Sequence, residues 1–384
     1  MISSYSLMMP NVVYGGENAL EQIKGIVKGV KKAVVFTDKG ISQSGLIDKP
    51  LKLLEEAGVA VTVFNDLATE PTVDQASEVI ERFRSERADF IVAVGGGSVM
   101  DIAKLSSVLD TDDYTIRDLL VDPARAKKSV RTLMIPTTAG TGAEATPNSI
   151  VTVPEKQLKV GIVNPEMIAD YVILDAEMTS RLPRPIAAST GVDALAHAIE
   201  CFTSNKATPF SDMFAMEALR LILPNIEAAC NESDNTEAKS KMLTASFFAG
   251  VAIAAAGTTA VHALSYPLGG KYHIPHGVSN AILLVPVMRF NEPACQNRLA
   301  EVYDAVNPQT PATVSEKSNW IIHRLSEIVK NLDIPTDLSA FGVGMDALED
   351  LVEAGMQVTR LLKNNIRTVT SEDARNIYLE VLPH

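Results

Sequence analysis

Cysteine is scarce in this chain: Cys201, Cys230 and Cys295 are the three present in 384 residues. An odd number without CxxC spacing suggests neither a disulfide framework nor a thiolate zinc site, so reduced, partly buried thiols are expected. Long apolar runs are missing too. The stretches around Val251–Ala256 and Ile282–Val287 fall far short of the roughly 18–20 residues needed to cross a bilayer. Positive charge is in deficit: 34 Lys and Arg against 47 Asp and Glu leave a formal −13. That balance repels nucleic acid and anionic lipid unless a local basic stripe offsets it, and the sequence has no such stripe. The opening MISSYSLMMP sets no basic segment ahead of an apolar one, so a secretory leader is not expected and a cytoplasmic protein is. Small-molecule chemistry is the class these absences leave.

Apolar residues make up 46% of the chain and charged residues 21%, the composition of a soluble globular protein. At roughly 100–200 residues per domain, the length suits two domains. The first half alternates β-rich runs (33–37, 60–64 and 90–94) with amphipathic stretches. Val73, Ala76, Val79, Ile80 and Phe83 recur at helical spacing behind a Thr72/Gln75 capping box. Units of strand, helix and strand predict a parallel sheet with ligands beyond its carboxyl ends. After Arg181 the periodicity is helical throughout, as in 186–202 and 213–230, and Pro183 and Pro185 punctuate the passage. The expected fold is therefore α/β plus all-α: residues 1–181 form a Rossmann-like parallel-sheet domain, and residues 182–384 a helical domain.

Three constellations carry chemistry. Gly95-Gly96-Gly97-Ser98 follows the third strand and precedes a helical run, so free amides and a helix dipole can meet a phosphate that comes close to the backbone. It is not GxGxxG, and a tight turn is the plain alternative. The fourth strand candidate, 133–135, runs into Pro136-Thr137-Thr138-Ala139-Gly140-Thr141-Gly142, a second small-residue loop lined with hydroxyls. Asp38, at the end of the first strand, can accept from a ribose diol and repel a ribose phosphate, which points to NAD over NADP. In the second half Asp193 and His197 stand four apart on one helix face, with His262 and His276 further on. One carboxylate and three imidazoles make a ligand set for Fe2+, Zn2+ or another divalent ion, although each histidine alone is more often an ordinary core or surface residue.

Together these residues resemble the iron-containing, or group III, alcohol dehydrogenase family. The motifs are GGGSVMDIAK from Gly95, PTTAGTGAEAT from Pro136, STGVDALAHAIE from Ser189 and HALSYPLGGKYHIPHGVSNAILL from His262, in family order along nearly the whole chain. The resemblance implies a dehydroquinate synthase-like architecture, with a metal and nicotinamide site between a Rossmann-like and a helical domain. It implies Asp193, His197, His262 and His276 as metal ligands, and Asp38, Gly96, Gly97, Ser98, Thr137, Thr138 and Thr141 as NAD contacts, with Lys159 near the nicotinamide. The implied reaction exchanges a hydride between NAD and a small primary alcohol, diol or hydroxy acid, with the metal as Lewis acid and aldehyde reduction in reverse. A homo-oligomer, dimeric or larger, is the family expectation.

Two departures bear on substrate and proton transfer. Many members carry a histidine four residues after the third ligand; here Tyr266 stands there. An unshifted tyrosine, near 10, is a poor base at neutral pH, so Tyr266 is expected to position substrate or water, with proton release left to water or His273. Asn148 is similar to a pocket asparagine of the lactaldehyde reductase branch, while that branch's pocket phenylalanine is replaced by Ile253. A hydroxyacid–oxoacid transhydrogenase that keeps its nicotinamide bound is the neighbouring enzyme reading. A non-catalytic assembly scaffold is the reading from another class, and intact ligands and loops disfavour it.

Overall fold

The computed structural model describes residues 5–156 and 158–383. They divide into two compact units: Met8–Leu182, and a second that runs on from Pro183 and includes the residues up to Leu7.

Among the described residues the first unit holds eight strands: β1 (Val12–Gly15), β2 (Lys32–Phe36), β3 (Ala60–Phe64), β4 (Phe90–Gly95), β5 (Arg131–Pro136), β6 (Asn148–Val153), β7 (Leu158–Val163) and β8 (Tyr171–Leu174). Six form a wholly parallel sheet in the order β1-β8-β5-β4-β2-β3, and β6 and β7 pair antiparallel as a separate hairpin. All six residues of β4 are buried, as a central strand covered on both faces requires. The helices are α1 (Ile23–Ile26), α2 (Lys39–Ser44), α3 (Asp48–Glu56), α4 (Val73–Glu86), α5 (Gly97–Val108) and α6 (Ile116–Val121). In α4 the expected capping box forms in both directions between Thr72 and Gln75, and Val73, Ala76, Ile80 and Phe83 are its buried stripe. The chain leaves β2 outward to β3 and leaves β4 the other way to β5. The crossover direction thus reverses between β2 and β4, where open α/β sheets present a ligand crevice.

In the second unit the described residues form helices α7 (Arg184–Thr203), α8 (Pro209–Asn231), α9 (Thr236–Ala256), α10 (Ala260–Tyr272), α11 (His276–Val306), α12 (Val314–Asn331), α13 (Leu348–Met356), α14 (Thr359–Leu362) and α15 (Ser371–Leu379), with no strand among them. Helix α7 is buried almost all round from Gly191 onward, the condition of a helix at the centre of a bundle. It packs on α8, α9 and α11. At Gly191 an added Cβ would stand 3.2 Å from the Ile226 side chain on α8, so that side chain packs directly on the α7 backbone. The three cysteines are free, with Cys201 and Cys295 buried. No single helix among the described residues is long and apolar enough to cross a membrane.

Candidate metal and dinucleotide sites

The second unit's site starts from α7. Asp193 and His197 lie one turn apart, and Glu200 continues the same stripe three residues on; all three are buried. Beyond α9, Gly257 at φ +71 lets the chain bend by 104° into α10, whose first turn carries His262. His276 opens α11 directly after Pro275. Gly277 sets how closely α11 approaches. A Cβ there would stand 2.3 Å from the Ser189 backbone oxygen on α7, so this approach admits only glycine.

Three helices thus bring Asp193, His197, His262 and His276 together, one ligand atom from each, all within 4.8 Å of one another. The Nε2 atoms of His197, His262 and His276 stand 3.7, 3.5 and 3.7 Å from Asp193 Oδ1. Donors about 2.0–2.2 Å from a shared ion lie roughly 3.3–4.4 Å from each other. The contacts to Asp193 already have ligand spacing, and the widest pair has only to close by a few tenths of an ångström. A set of one carboxylate and three imidazoles, three of the four side chains deeply buried, fits Fe2+ or Zn2+.

Two further residues belong to the cluster without having been expected from sequence. Asn280, one turn after His276, donates from Nδ2 to Asp193 Oδ1 at 2.7 Å and lies 3.0 and 3.2 Å from Nε2 of His262 and His276. Its Oδ1 is buried without a partner among the described residues. Glu200 takes up the opposite side of His262, pairing through Oε2 with Nδ1 of the ring. Its signal was present in DALAHAIE, where it repeats the helical spacing of Asp193 and His197.

Burial alone would favour neutral groups here. It pushes Asp193 up, but the three neighbouring imidazoles outweigh it and hold the carboxyl far below its ordinary range. Burial pushes His262 down, whereas Glu200 and Asp193 together raise it to about 9.

The remaining expected residues of this unit fall around the cluster. Tyr266, one turn after His262, is half-buried with its ring centroid 6.2 Å from that of His276. Desolvation pushes its phenol up; the charge of Arg360 opposes this, and Glu200 and Asp193 add to it. His273 caps α10 at φ +55 with an exposed side chain and is not one of the clustered ligands. Ile253 is half-buried near the end of α9.

The first unit's candidate site lies at the carboxyl ends of β2, β4 and β5. Gly95 ends β4, Gly96 is the N-cap of α5 and Gly97 its first residue. The hydroxyl loop lies against them: a Cβ on Gly96 would stand 3.5 Å from Thr138, and one on Gly97 would stand 3.0 Å from Thr141. The Thr137 N–H donates to the Gly95 carbonyl at 3.0 Å, and Thr141 Oγ1 accepts from the Ala143 N–H. Thr137 Oγ1 and Thr37 Oγ1, each just past the end of its strand, are buried and lack a partner among the described residues. Such orphaned hydroxyls are groups that a polar ligand would satisfy. Thr37 was not expected from sequence; only its place at a strand end could have marked it.

Other expected contacts here are already engaged. Asp38 caps α2, Oδ1 accepting from the Ile41 N–H at 2.9 Å. Ser98 Oγ accepts from the Glu70 N–H at 3.1 Å, and the Glu70 carboxylate pairs with Lys159 at 2.6 Å. Asn148 opens β6, and its carbonyl accepts from the buried Lys104 Nζ at 2.6 Å. Lys104 also donates to Thr146 Oγ1 and pairs with Asp101. Burial pushes Lys104 down and Asp101 up, each partly offset by the other. It also pushes the neighbouring Glu144 up to about 7.

Both halves of the chain match known proteins. Residues 10–176 match the profile of the iron-containing alcohol dehydrogenases, and residues 187–382 that of the Fe-containing alcohol dehydrogenase family, C-terminal. The chain is 35% identical over 378 residues to long-chain-alcohol dehydrogenase 1 of Geobacillus thermodenitrificans, covering 97% of this chain and 95% of that one. Its fold is similar to that of a 1,3-propanediol oxidoreductase, with a TM-score of 0.92 at 30% identity over 99% of this chain and 100% of the other. It is also similar to that of sulfoacetaldehyde reductase from Bifidobacterium kashiwanohense in complex with NAD+, with a TM-score of 0.88 at 29% identity over 99% of each chain.

Proposed function

From the premise that the chain belongs to the iron-containing alcohol dehydrogenase family, an NAD- and metal-dependent group of oxidoreductases, we propose that it interconverts a small primary alcohol, diol or hydroxy acid with its carbonyl counterpart. The observation that carries this reading is the convergence of Asp193, His197, His262 and His276. In this reading those four residues hold a divalent ion, Fe2+ or Zn2+, which supplies Lewis acidity toward the substrate oxygen. Residues 182–384 are then the metal-binding domain and residues 1–181 the NAD-binding domain. There the Gly96–Ser98 turn receives pyrophosphate, the Thr37 and Thr137 hydroxyls find partners, and Asp38 and Lys159 face ribose and nicotinamide.

Oxidation releases a hydride from the carbinol carbon to NAD and a proton from the hydroxyl. Tyr266 is suited to donate a hydrogen bond and not to take that proton, because its surroundings raise its pKa. The exposed His273 is the proposed acceptor alongside water. Asn148 and Ile253 are proposed to line the pocket. The relatives' names, a long-chain alcohol, a three-carbon diol and a sulfonated aldehyde, show how widely substrate varies on this fold. The protein is proposed to work in the cytoplasm as a homo-oligomer, without nucleic acid or membrane.

The test is a panel of alcohols, diols and hydroxy acids, assayed by NADH formation after loading with Fe2+ or Zn2+, with the matching aldehydes in reverse. Turnover with added NAD on at least one primary alcohol is expected. Turnover of a hydroxy acid with an oxo acid and no added NAD would replace this reading with the transhydrogenase. A metal-loaded protein inert toward the whole panel would overturn it.

A further inference from the structure

Glu200 is the most deeply enclosed carboxylate of the second unit, with no solvent exposure, and every polar contact it makes is on α10 or just before it. Oε1 accepts from the Thr259 N–H at 3.0 Å, the Thr259 hydroxyl at 2.6 Å and the Val261 N–H at 2.8 Å, with the His262 N–H at 3.4 Å. These are the unpaired donors of the first turn of α10, which a buried carboxylate both satisfies and complements in dipole. Oε2 is left for His262 Nδ1 alone. The two oxygens thus have separate partners: one fixes the helix start and the other fixes one nitrogen of one ring.

An imidazole that keeps its proton on Nδ1 presents the Nε2 lone pair. Here Nε2 is the atom turned to Asp193 Oδ1, 3.5 Å away, within the four-residue cluster. We propose that Glu200 is a positioning residue for the metal: by accepting from Nδ1 it holds His262 in the form that offers Nε2 to the ion, and by gripping the first turn of α10 it fixes where that nitrogen points. This rests on the proposed metal site and names the residue that prepares it. Carboxylates behind ligating histidines are worth about tenfold to a hundredfold in metal affinity.

Glutamine separates the two tasks. The donors gathered at Oε1 accept only an oxygen opposite them, so the amide of Glu200→Gln must turn its NH2 toward His262 Nδ1. The ring then has to accept at Nδ1 and carry its proton on Nε2, which blocks the ligand atom while the hold on α10 survives. The experiment compares wild type, Glu200→Gln and Glu200→Asp. Zn2+ affinity is measured by competition with a chromophoric chelator, metal-free thermal stability is followed by circular dichroism, and the His262 ring nitrogens are observed by 15N NMR in the Zn2+-loaded protein. Expected are an affinity loss of about tenfold to a hundredfold in Glu200→Gln, a metal-free melting temperature close to wild type, and partial recovery of affinity in Glu200→Asp. Wild-type affinity in Glu200→Gln, or an affinity loss that only tracks a collapse in metal-free stability, would overturn the proposal. Should the glutamine variant not fold, the wild-type spectrum decides: Nδ1 protonated with Nε2 on zinc supports it, and the reverse overturns it. Failure of wild type to take up Zn2+, Fe2+ or Co2+ would strike the metal site itself, a different outcome from any of these.

Discussion

The two candidate sites are made of different material. In the first unit the site is mainly backbone: glycines that let a helix start come near a ligand, with hydroxyls on strand ends around them. In the second it is side chains on three packed helices, where each ligand depends on how two helices meet. A backbone cradle tolerates loss of one side chain, whereas a four-point ligand set does not. Substitutions should therefore separate the units sharply.

The largest separation is expected from the ligands. His262→Ala removes one of four donors and leaves Asp193 and Glu200, both buried carboxylates, without a partner they share. Metal affinity should fall by more than about a hundredfold, and turnover with it, while NADH binding by the first unit, read by nucleotide fluorescence, stays near wild type. Full metal content in purified His262→Ala would remove the residue from the ligand set. Loss of nucleotide binding as well would mean that the contrast between the units does not hold.

Next come the glycines, since each site has one where another segment of the chain comes close. Gly277→Ala sets a methyl 2.3 Å from the Ser189 backbone oxygen, which cannot rotate away. Gly97→Ala meets Thr141 Cγ2 at 3.0 Å, a side chain that can yield. Overpacking costs typically 1–3 kcal/mol, so Gly277→Ala should lie near or above about 3 kcal/mol and weaken metal binding, because His276 is carried with the helix start. Gly97→Ala should cost about 1 kcal/mol and weaken NAD binding instead. Chemical denaturation with metal and NADH titrations measures both; equal costs would show that the α7–α11 approach is not the rigid element.

That contrast also marks what the sequence could show. The glycine turn, the hydroxyl loop and the α4 stripe are local patterns, and all form where the sequence places them. The Asp193–His197 pair was legible because four residues make one helical turn. What brings His262 and His276 to it is the bend at Gly257 and the close approach at Gly277, which are packing facts with no periodicity of their own. The hairpin of β6 and β7 was missed for a related reason: alternate residues of β6 are buried, but Ser149 is one of them, its hydroxyl donating to the Asp101 carbonyl, so the apolar alternation is broken. Glu200 and Asn280 touch the clustered residues and belong to no motif of their own. Glu200 could be found only by its repeat of the Asp193–His197 spacing, and nothing in residue type separates Asn280 from other polar residues of buried helices until the fold is known.

A third, smaller effect belongs to the first unit alone. Glu144 follows the hydroxyl loop, its Oε1 buried without a partner among the described residues, and burial raises it from 4.5 to about 7. Below pH 4.5 the carboxyl is protonated folded or unfolded and costs nothing. Between pH 4.5 and 7 the unfolded chain releases its proton while the folded one keeps it, so stability falls as pH rises, by about 3 kcal/mol in all, and levels off above pH 7. Glu144→Gln should flatten that part of the pH profile in urea denaturation and leave metal affinity unchanged. A profile that keeps its full slope would place the proton elsewhere.

The smallest effect expected is on cofactor choice. Asp38 uses Oδ1 to cap α2, which leaves its charge and second oxygen at the end of β2, beside the crevice where the crossovers diverge. A ribose 2′-phosphate brought within about 4 Å of that carboxylate is repelled by about 1 kcal/mol for each of its charges even at the dielectric of water. This amounts to roughly tenfold or more against NADP, tenfold being about 1.4 kcal/mol. Glycine is the substitution that isolates this term, because glycine is itself a tolerated N-cap and costs only a few tenths of a kcal/mol there. Asp38→Gly should therefore keep the fold and metal content, leave kcat/KM for NAD within a few fold, and raise kcat/KM for NADP by about tenfold. High ionic strength should narrow the wild-type preference in the same direction, since the repulsion is screened. A wild-type enzyme more efficient with NADP, or an Asp38→Gly variant with the wild-type ratio, would show that the carboxylate serves α2 and does not read the ribose.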